Sequence, residues 1–187
     1  MESIITTHEL VEGCKKGDRK AQEKLYSLYA SKMMGLCLRY ARDNFEAEDM
    51  LQTGFIRMFE KIHSFRNEGS FEGWLRRLMV NNAIELYRQN LRMFAIIDPV
   101  NDGSSVPEIS PSHNLHTEDL LKFIQELSPG YRMVFNMYAI EGYNHREIAE
   151  TLGINEGTSK SQLARARTLL QEKINKQEVS NHEKFKR

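Results

Sequence analysis

The stretch HREIAETLGINEGTSKSQLARARTLLQEKI, residues 145–174, decides the fold of this chain. Asn144 stands before it as a helix cap, Glu147 follows three residues on to complete a capping box, and Ile148, Ala149 and Leu152 form an apolar face. Gly153 supplies the left-handed residue that ends this short helix, and Asn155 caps the next one. Along the second helix Leu163, Ala166, Leu170 and Ile174 recur at helical spacing, so one stripe packs inward. Thr158, Lys160, Ser161, Gln162 and Arg165 are left for another surface. Between Gly157 and Lys176 the charges are Lys160, Arg165, Arg167, Lys173 and Lys176 against Glu172 alone. The pattern predicts a helix-turn-helix with a cationic second helix. Such a helix suits a DNA major groove, where phosphates supply affinity and base edges supply specificity. Any two amphipathic helices around a glycine share this outline, so the rest of the chain must supply its context.

A length of 187 residues allows one domain or two small ones, and 40% hydrophobic residues fill modest cores. The formal net charge is zero, which points to localised charged patches rather than a basic surface throughout. Cys14 and Cys37 share no short metal-ligand spacing and are too few for a disulfide framework, so a reducing interior is expected. The opening MESIITTHELVEG has no basic region followed by an apolar run, and no apolar stretch approaches the roughly 20 residues that span a bilayer. We therefore expect a cytoplasmic protein without membrane insertion. No Gly-rich phosphate loop, His-x-x-x-His or paired-Cys motif appears, and His113 with His116 lacks further ligands. Accordingly no catalytic residue, no metal, no cofactor and no small-molecule substrate is expected.

Taken in order, Thr6 with Glu9 makes a capping box for a helix carrying Leu10, Val11 and Cys14, and Lys16-Gly17 ends it. Asp18 opens a longer helix whose buried period is Ala21, Leu25, Leu28, Tyr29, Met33, Leu36, Cys37 and Tyr40, with Tyr26 also structural. Asn44 caps a third, with Ala47, Leu51, Phe55, Met58 and Ile62 as its buried stripe and Glu48, Asp49 and Gln52 opposite. A polar loop, His63 to Ser70, leads into a fourth helix, FEGWLRRLMVNNAIELYRQNLR, capped by Ser70. Phe71, Leu75, Leu78 and Leu86 fit its buried face, interrupted by Asn82. Trp74, Arg76, Arg77, Asn81, Arg88 and Arg92 do not all fit that face. This mixture of one tryptophan with paired arginines suits single-stranded nucleic acid, and a lone tryptophan also suits a core.

From Met93 the period collapses into AIIDPVNDGSSVPEISPSHN, which holds Pro99, Pro107 and Pro111 and reads as a flexible linker. Thr117 caps a fifth helix, and Ser128 with Pro129 starts a sixth that Gly142 closes. The tail from residue 177 has no apolar period and is expected to fray. No strand pattern persists. The expected architecture is all-α: a helical domain over residues 1–92, a linker over 93–115, a helix-turn-helix domain over 116–176, and the tail 177–187.

Two helical modules in this order resemble a bacterial RNA polymerase sigma factor of the extracytoplasmic-function (ECF) type, and the likeness covers nearly the whole chain. EAEDMLQTGFIRMFEKIHSF is similar to that family's clamp-binding helix, and FEGWLRRLMVNNAIELYRQN to its promoter-melting helix. LSPGYRMVFNMYAIEGYNHREIAETLGINEGTSKSQLARARTLL is similar to its fourth conserved region. The resemblance implies a specificity subunit that binds core RNA polymerase and promoter DNA. Glu48, Asp49 and Gln52 would meet the β′ clamp helices, and the second module would also reach the β flap. In the family the loop after the clamp-binding helix traps a base flipped from the minus-ten element. His63, Phe65, Arg66 and Asn67 would do so here, and Trp74, Arg76, Arg77, Asn81 and Arg88 would hold the opened strand. Thr158, Lys160, Ser161, Gln162, Arg165 and Arg167 would contact the minus-thirty-five element. An anti-sigma partner is expected by analogy.

The chain departs from the family pattern at the end of its promoter-melting helix, YRQNLR, which lacks the dense arginine run many members show, and at three further positions. Thr53 stands where a carboxylate is common, Gln162 where arginine is frequent, and Ser159 on the stripe of Leu163 and Ala166 where an apolar side chain is usual. A hydroxyl there can return its hydrogen bond to the backbone one turn earlier. The competing readings are a two-domain helix-turn-helix regulator with a sensing or protein-binding first domain, an enzyme, and a polymerase adaptor. A sensor needs a pocket, whereas the first module offers acidic and aromatic-basic faces, and an adaptor would dispense with the cations of residues 157–176.

Overall fold

A computed structural model describes residues 6–94 and 117–184, and these form α-helices joined by short turns, with no strand among the described residues. The chain divides into two compact units, Met1–Glu85 and Leu86–Arg187, the division falling within one long helix. Residues 95–115 of the proposed linker and the His113/His116 pair lie outside the described residues, while residues 93–94 belong to the last helix before it.

The first helices are α1 (Thr7–Lys15), α2 (Arg19–Tyr40), α3 (Asn44–Lys61) and α4 (Phe71–Phe94). The Thr6–Glu9 capping box forms in both directions, and Asp18 caps α2 by accepting from the Lys20 backbone N–H. For α3 the cap is Asp43 rather than Asn44: its extended backbone lets the carboxylate accept from the Glu46 N–H at 2.8 Å, so Asn44 becomes the first helical residue. The core takes Leu25, Leu36 and Cys37 from α2, Phe55 and Met58 from α3, and Leu75 and Met79 from α4. Leu28 is 54% exposed, because it precedes Tyr29 by one residue and is turned away from the midline that Leu25, Tyr29 and Leu36 define. Both cysteine thiols are buried and free, and burial pushes Cys14 up to about 11 and Cys37 up to about 12, so neither ionises near neutrality.

Helix α4 is gripped from two sides. Against α2, the Phe71 and Tyr29 rings lie 5.3 Å apart and Lys32 pairs with Glu72 at 2.7 Å. Against α3, Asn82 donates from Nδ2 to Met50 O at 3.0 Å and to Thr53 Oγ1 at 3.1 Å, and Arg57 pairs with Glu85. A helix contacted twice buries a wider arc. Met79, Val80, Ala83 and Ile84 therefore enter the core, and Leu78 and Leu86, expected there, are only half-buried. Gly54 marks the closest approach: a Cβ at this position would overlap Met79 Sδ.

The second unit contains α5 (Thr117–Gln125), α6 (Pro129–Phe135), a π-helical turn (Asn136–Ile140), α7 (His145–Leu152) and α8 (Glu156–Lys184). Thr117 is itself the first residue of α5 rather than a residue before it, and Ser128 makes no side-chain cap, leaving Pro129 to start α6. The Asn144–Glu147 capping box is present in full, Gly153 adopts φ 70°, and Asn155 accepts from the Thr158 N–H at 2.7 Å. Phe123 and Leu127 pack with Ala166 and Leu170, flanked by Tyr131, Phe135, Leu169 and Ile174. Helix α8 runs to Lys184.

If Gly54 sets the α3–α4 spacing, Gly54→Val should destabilise the chain by about 2 kcal/mol through overpacking, read as a lowered denaturant midpoint. An unchanged midpoint would mean that Met79 yields freely and the close contact is not structural.

Candidate nucleic-acid and polymerase interface

The α3 face opposite the core presents Phe45, Glu48, Asp49, Gln52 and Ile56, all exposed and spaced so that they share one side of the helix. The three polar members are those that the sequence singles out. Phe45, 80% exposed, and Ile56, 57% exposed, went unremarked there because periodicity identifies apolar residues that belong to the buried stripe and is silent on those outside it. Thr53 is not on this face. Its hydroxyl donates to Asp49 O at 2.8 Å and accepts from Asn82, so it belongs to the α3–α4 bridge.

The loop between α3 and α4 starts with a 3-10 turn, Ile62–Ser64, and its residues differ in role. His63, Arg66 and Asn67 are exposed, and Asn67 takes a left-handed φ of 59°, a conformation that asparagine tolerates better than most residues. Phe65, expected on the DNA-facing side, is buried at 6% exposure. Its ring sits 5.4 Å from those of Phe71 and Trp74, so it anchors the loop from behind. A second anchor comes from α1: Lys15 Nζ donates to Phe65 O at 3.2 Å while paired with Glu12 at 2.9 Å. Ser70 accepts from the Gly73 N–H at 3.1 Å and fixes the start of α4. Trp74 is half-buried, contributing to the Phe65–Phe71 cluster while keeping part of its surface outside it. Arg76 is half-buried, and Arg77, Asn81 and Arg88 are exposed.

In the helix-turn-helix, Lys160, Ser161 and Arg167 are exposed, and Thr158, Gln162 and Arg165 are half-buried. Lys160 lies 3.7 Å from Glu156, an exposed pair of the kind that contributes little to stability. Gln162 leans on α6: a Cβ at Gly130 would stand 3.2 Å from its Nε2. The Arg167 guanidinium lies 5.6 Å from the centre of the Tyr138 ring. Not every cation of this helix is available to a partner. Lys173 pairs with Glu126 and lies 6.0 Å from the Phe123 ring, which ties it to α5.

Two residues that the sequence did not single out, Arg132 and His145, hold this unit together. Arg132 is buried and donates from Nη1 to Gln125 O at 2.7 Å and Leu127 O at 3.2 Å, carbonyls that the end of α5 leaves open. Ser159, at 0% exposure, meets His145 Nδ1 at 2.9 Å, so its hydroxyl is satisfied by the neighbouring helix and not by the backbone bond expected for it. An arginine within YRMVFNMY and a histidine just after a cap carry no sequence signal that distinguishes them from surface residues. Among the described residues no cluster of His, Cys, Asp or Glu could hold a metal ion, and no helix is long and apolar enough to cross a membrane.

Residues 25–93 match sigma-70 region 2, and residues 117–170 match sigma-70 region 4. The chain is 30% identical over 186 residues to the ECF RNA polymerase sigma-E factor of Haemophilus influenzae, covering 93% of this chain and 98% of that protein. The sigma-E factor of Escherichia coli matches at the same 30% identity over 186 residues, 93% of this chain and 97% of its own. A sigma factor from Bartonella quintana, solved with an anti-sigma factor, is 23% identical with a TM-score of 0.49, covering 82% of this chain and 96% of that one. The family regions fall on the two helical modules already described, and the chain belongs to the ECF sigma factors, sigma-70-type proteins that direct RNA polymerase to initiate transcription.

Proposed function

We propose that this sigma factor docks on core RNA polymerase through the α3 stripe, with Glu48, Asp49 and Gln52 facing the basic β′ clamp helices and Phe45 and Ile56 adding apolar contact at either end. The stripe itself carries this reading: five exposed side chains on one helix face, two of them large and apolar, opposite a face committed to the core. On DNA, His63, Arg66 and Asn67 at the projecting part of the loop receive a base flipped from the minus-ten element. Trp74, Arg76, Arg77, Asn81 and Arg88 hold the opened strand. Phe65 leaves this set, because its ring is occupied in the core. Strand opening then needs no chemistry, since stacking and phosphate contacts offset the cost of unstacking, and we assign no catalytic step to the chain.

The second unit reads the minus-thirty-five element. Lys160 and Arg167 serve phosphates, and Thr158, Ser161 and Arg165 serve the groove, with Gln162 at its edge because part of its surface is given to α6. The same unit faces the β flap, the protein works in the cytoplasm, and an anti-sigma factor restrains it; these three points extend the family's behaviour to this chain.

Asp49→Arg should lower co-purification with core polymerase by about ten-fold, since a cation replaces an anion against a basic partner. Undiminished recovery would remove α3 as the clamp contact. On DNA, Lys160→Ala should weaken binding evenly across promoters and reduce the salt slope by about 1, whereas Arg165→Ala should change preference at one base position by about 1 to 3 kcal/mol. Equal losses on every sequence from both variants would contradict the division of roles.

A further inference from the structure

Ser159 sits where the buried stripe of α8 begins, in line with Leu163, Ala166 and Leu170, and it is wholly buried. An apolar side chain would fill that place without imposing a direction. A buried hydroxyl must instead find a partner, because leaving its bond unmade costs the desolvation of the group. The partner here is Nδ1 of His145, the first residue of α7, at 2.9 Å. The other contact of that imidazole is a stacked one: the Tyr138 ring lies 4.5 Å away, inclined by 25°. Tyr138 in turn carries the Arg167 guanidinium 5.6 Å from its centre. Ser159, His145, Tyr138 and Arg167 therefore form one column that leaves α8 near its start, passes through α7 and the π-helical turn, and returns to α8 two turns further on, about 12 Å along the helix.

A column attached to α8 at two points restrains what packing alone does not. Apolar contacts let a helix slide and roll by small amounts, whereas a hydrogen bond and a stacked cation each fix an orientation. We infer that this column is a positioning device for the recognition helix. Through it Ser159, which is buried and out of reach of DNA, helps set base preference at the minus-thirty-five element, and Tyr138 holds Arg167 in place for a phosphate. This inference rests on the DNA-reading role proposed above for α8.

The test uses the full-length chain assembled with core RNA polymerase and a promoter library randomised across the minus-thirty-five element, with melting temperatures measured in parallel. Ser159→Val removes the hydroxyl and, like Ser159→Thr, adds bulk at a closed site, so the two are compared with each other: at similar melting temperatures Val should cut discrimination between preferred and disfavoured bases by about five-fold relative to Thr, the factor that one hydrogen bond carries. Ser159→Thr, which restores a hydroxyl, should recover selectivity. Tyr138→Ala should also lower selectivity and Tyr138→Phe should keep it, a pair that still decides the matter if Ser159→Val folds poorly. Wild-type selectivity in Ser159→Val or in Tyr138→Ala would overturn the inference while leaving the DNA-reading role intact. A wild-type holoenzyme that selects no element at all would overturn that role, and the inference with it.

Discussion

Where α3 meets α4, Gly54 leaves room for Met79, and Asn82 reaches across to Met50 O and Thr53 Oγ1. The first unit depends on this approach. It commits one side of each helix to the other, and what remains of α3 is the stripe from Phe45 to Ile56, while what remains of α4 in this unit includes Arg77 and Asn81. An anionic and apolar surface and a cationic one thus coexist on one small scaffold. Because the two helices also bracket the loop, the same packing fixes where the loop begins and ends; Phe65 and Lys15 then hold its middle.

The second unit solves a similar problem with polar groups placed inside. Arg132 closes the end of α5 by donating to Gln125 O and Leu127 O, which lets α5 and α6 follow one another without a long connection. Ser159 and His145 join the two helices of the helix-turn-helix. These bonds trade some apolar burial for direction. Direction matters more than strength in a module whose work is to present side chains to a groove, and weak DNA affinity suffices when polymerase holds two such modules at once.

Much of this was legible in the sequence. The capping boxes at Thr6–Glu9 and Asn144–Glu147, the left-handed Gly153 and the apolar stripe of α8 follow from local rules that tertiary contact did not override. What escaped were features that depend on a neighbour. Phe65 looks like a loop aromatic until Phe71 and Trp74 are brought against it, and Lys173 looks like a DNA-facing cation until Glu126 is seen beside it. Leu78 and Leu86 fit a single buried stripe, but α4 has two partners and its buried arc moved accordingly. Ser159 was recognised as unusual, yet its partner lies on a helix whose orientation no periodicity encodes.

On the proposed function, a first module with a polymerase-facing and a DNA-facing surface and a second module that reads DNA together make one promoter-opening subunit. Transcription from a genomic DNA library by core RNA polymerase, with and without the full-length chain, tests this most directly. The account predicts transcripts that start at discrete sites only when the chain is present, downstream of a shared pair of sequence elements. Polymerase that starts at no new site in its presence would contradict the account.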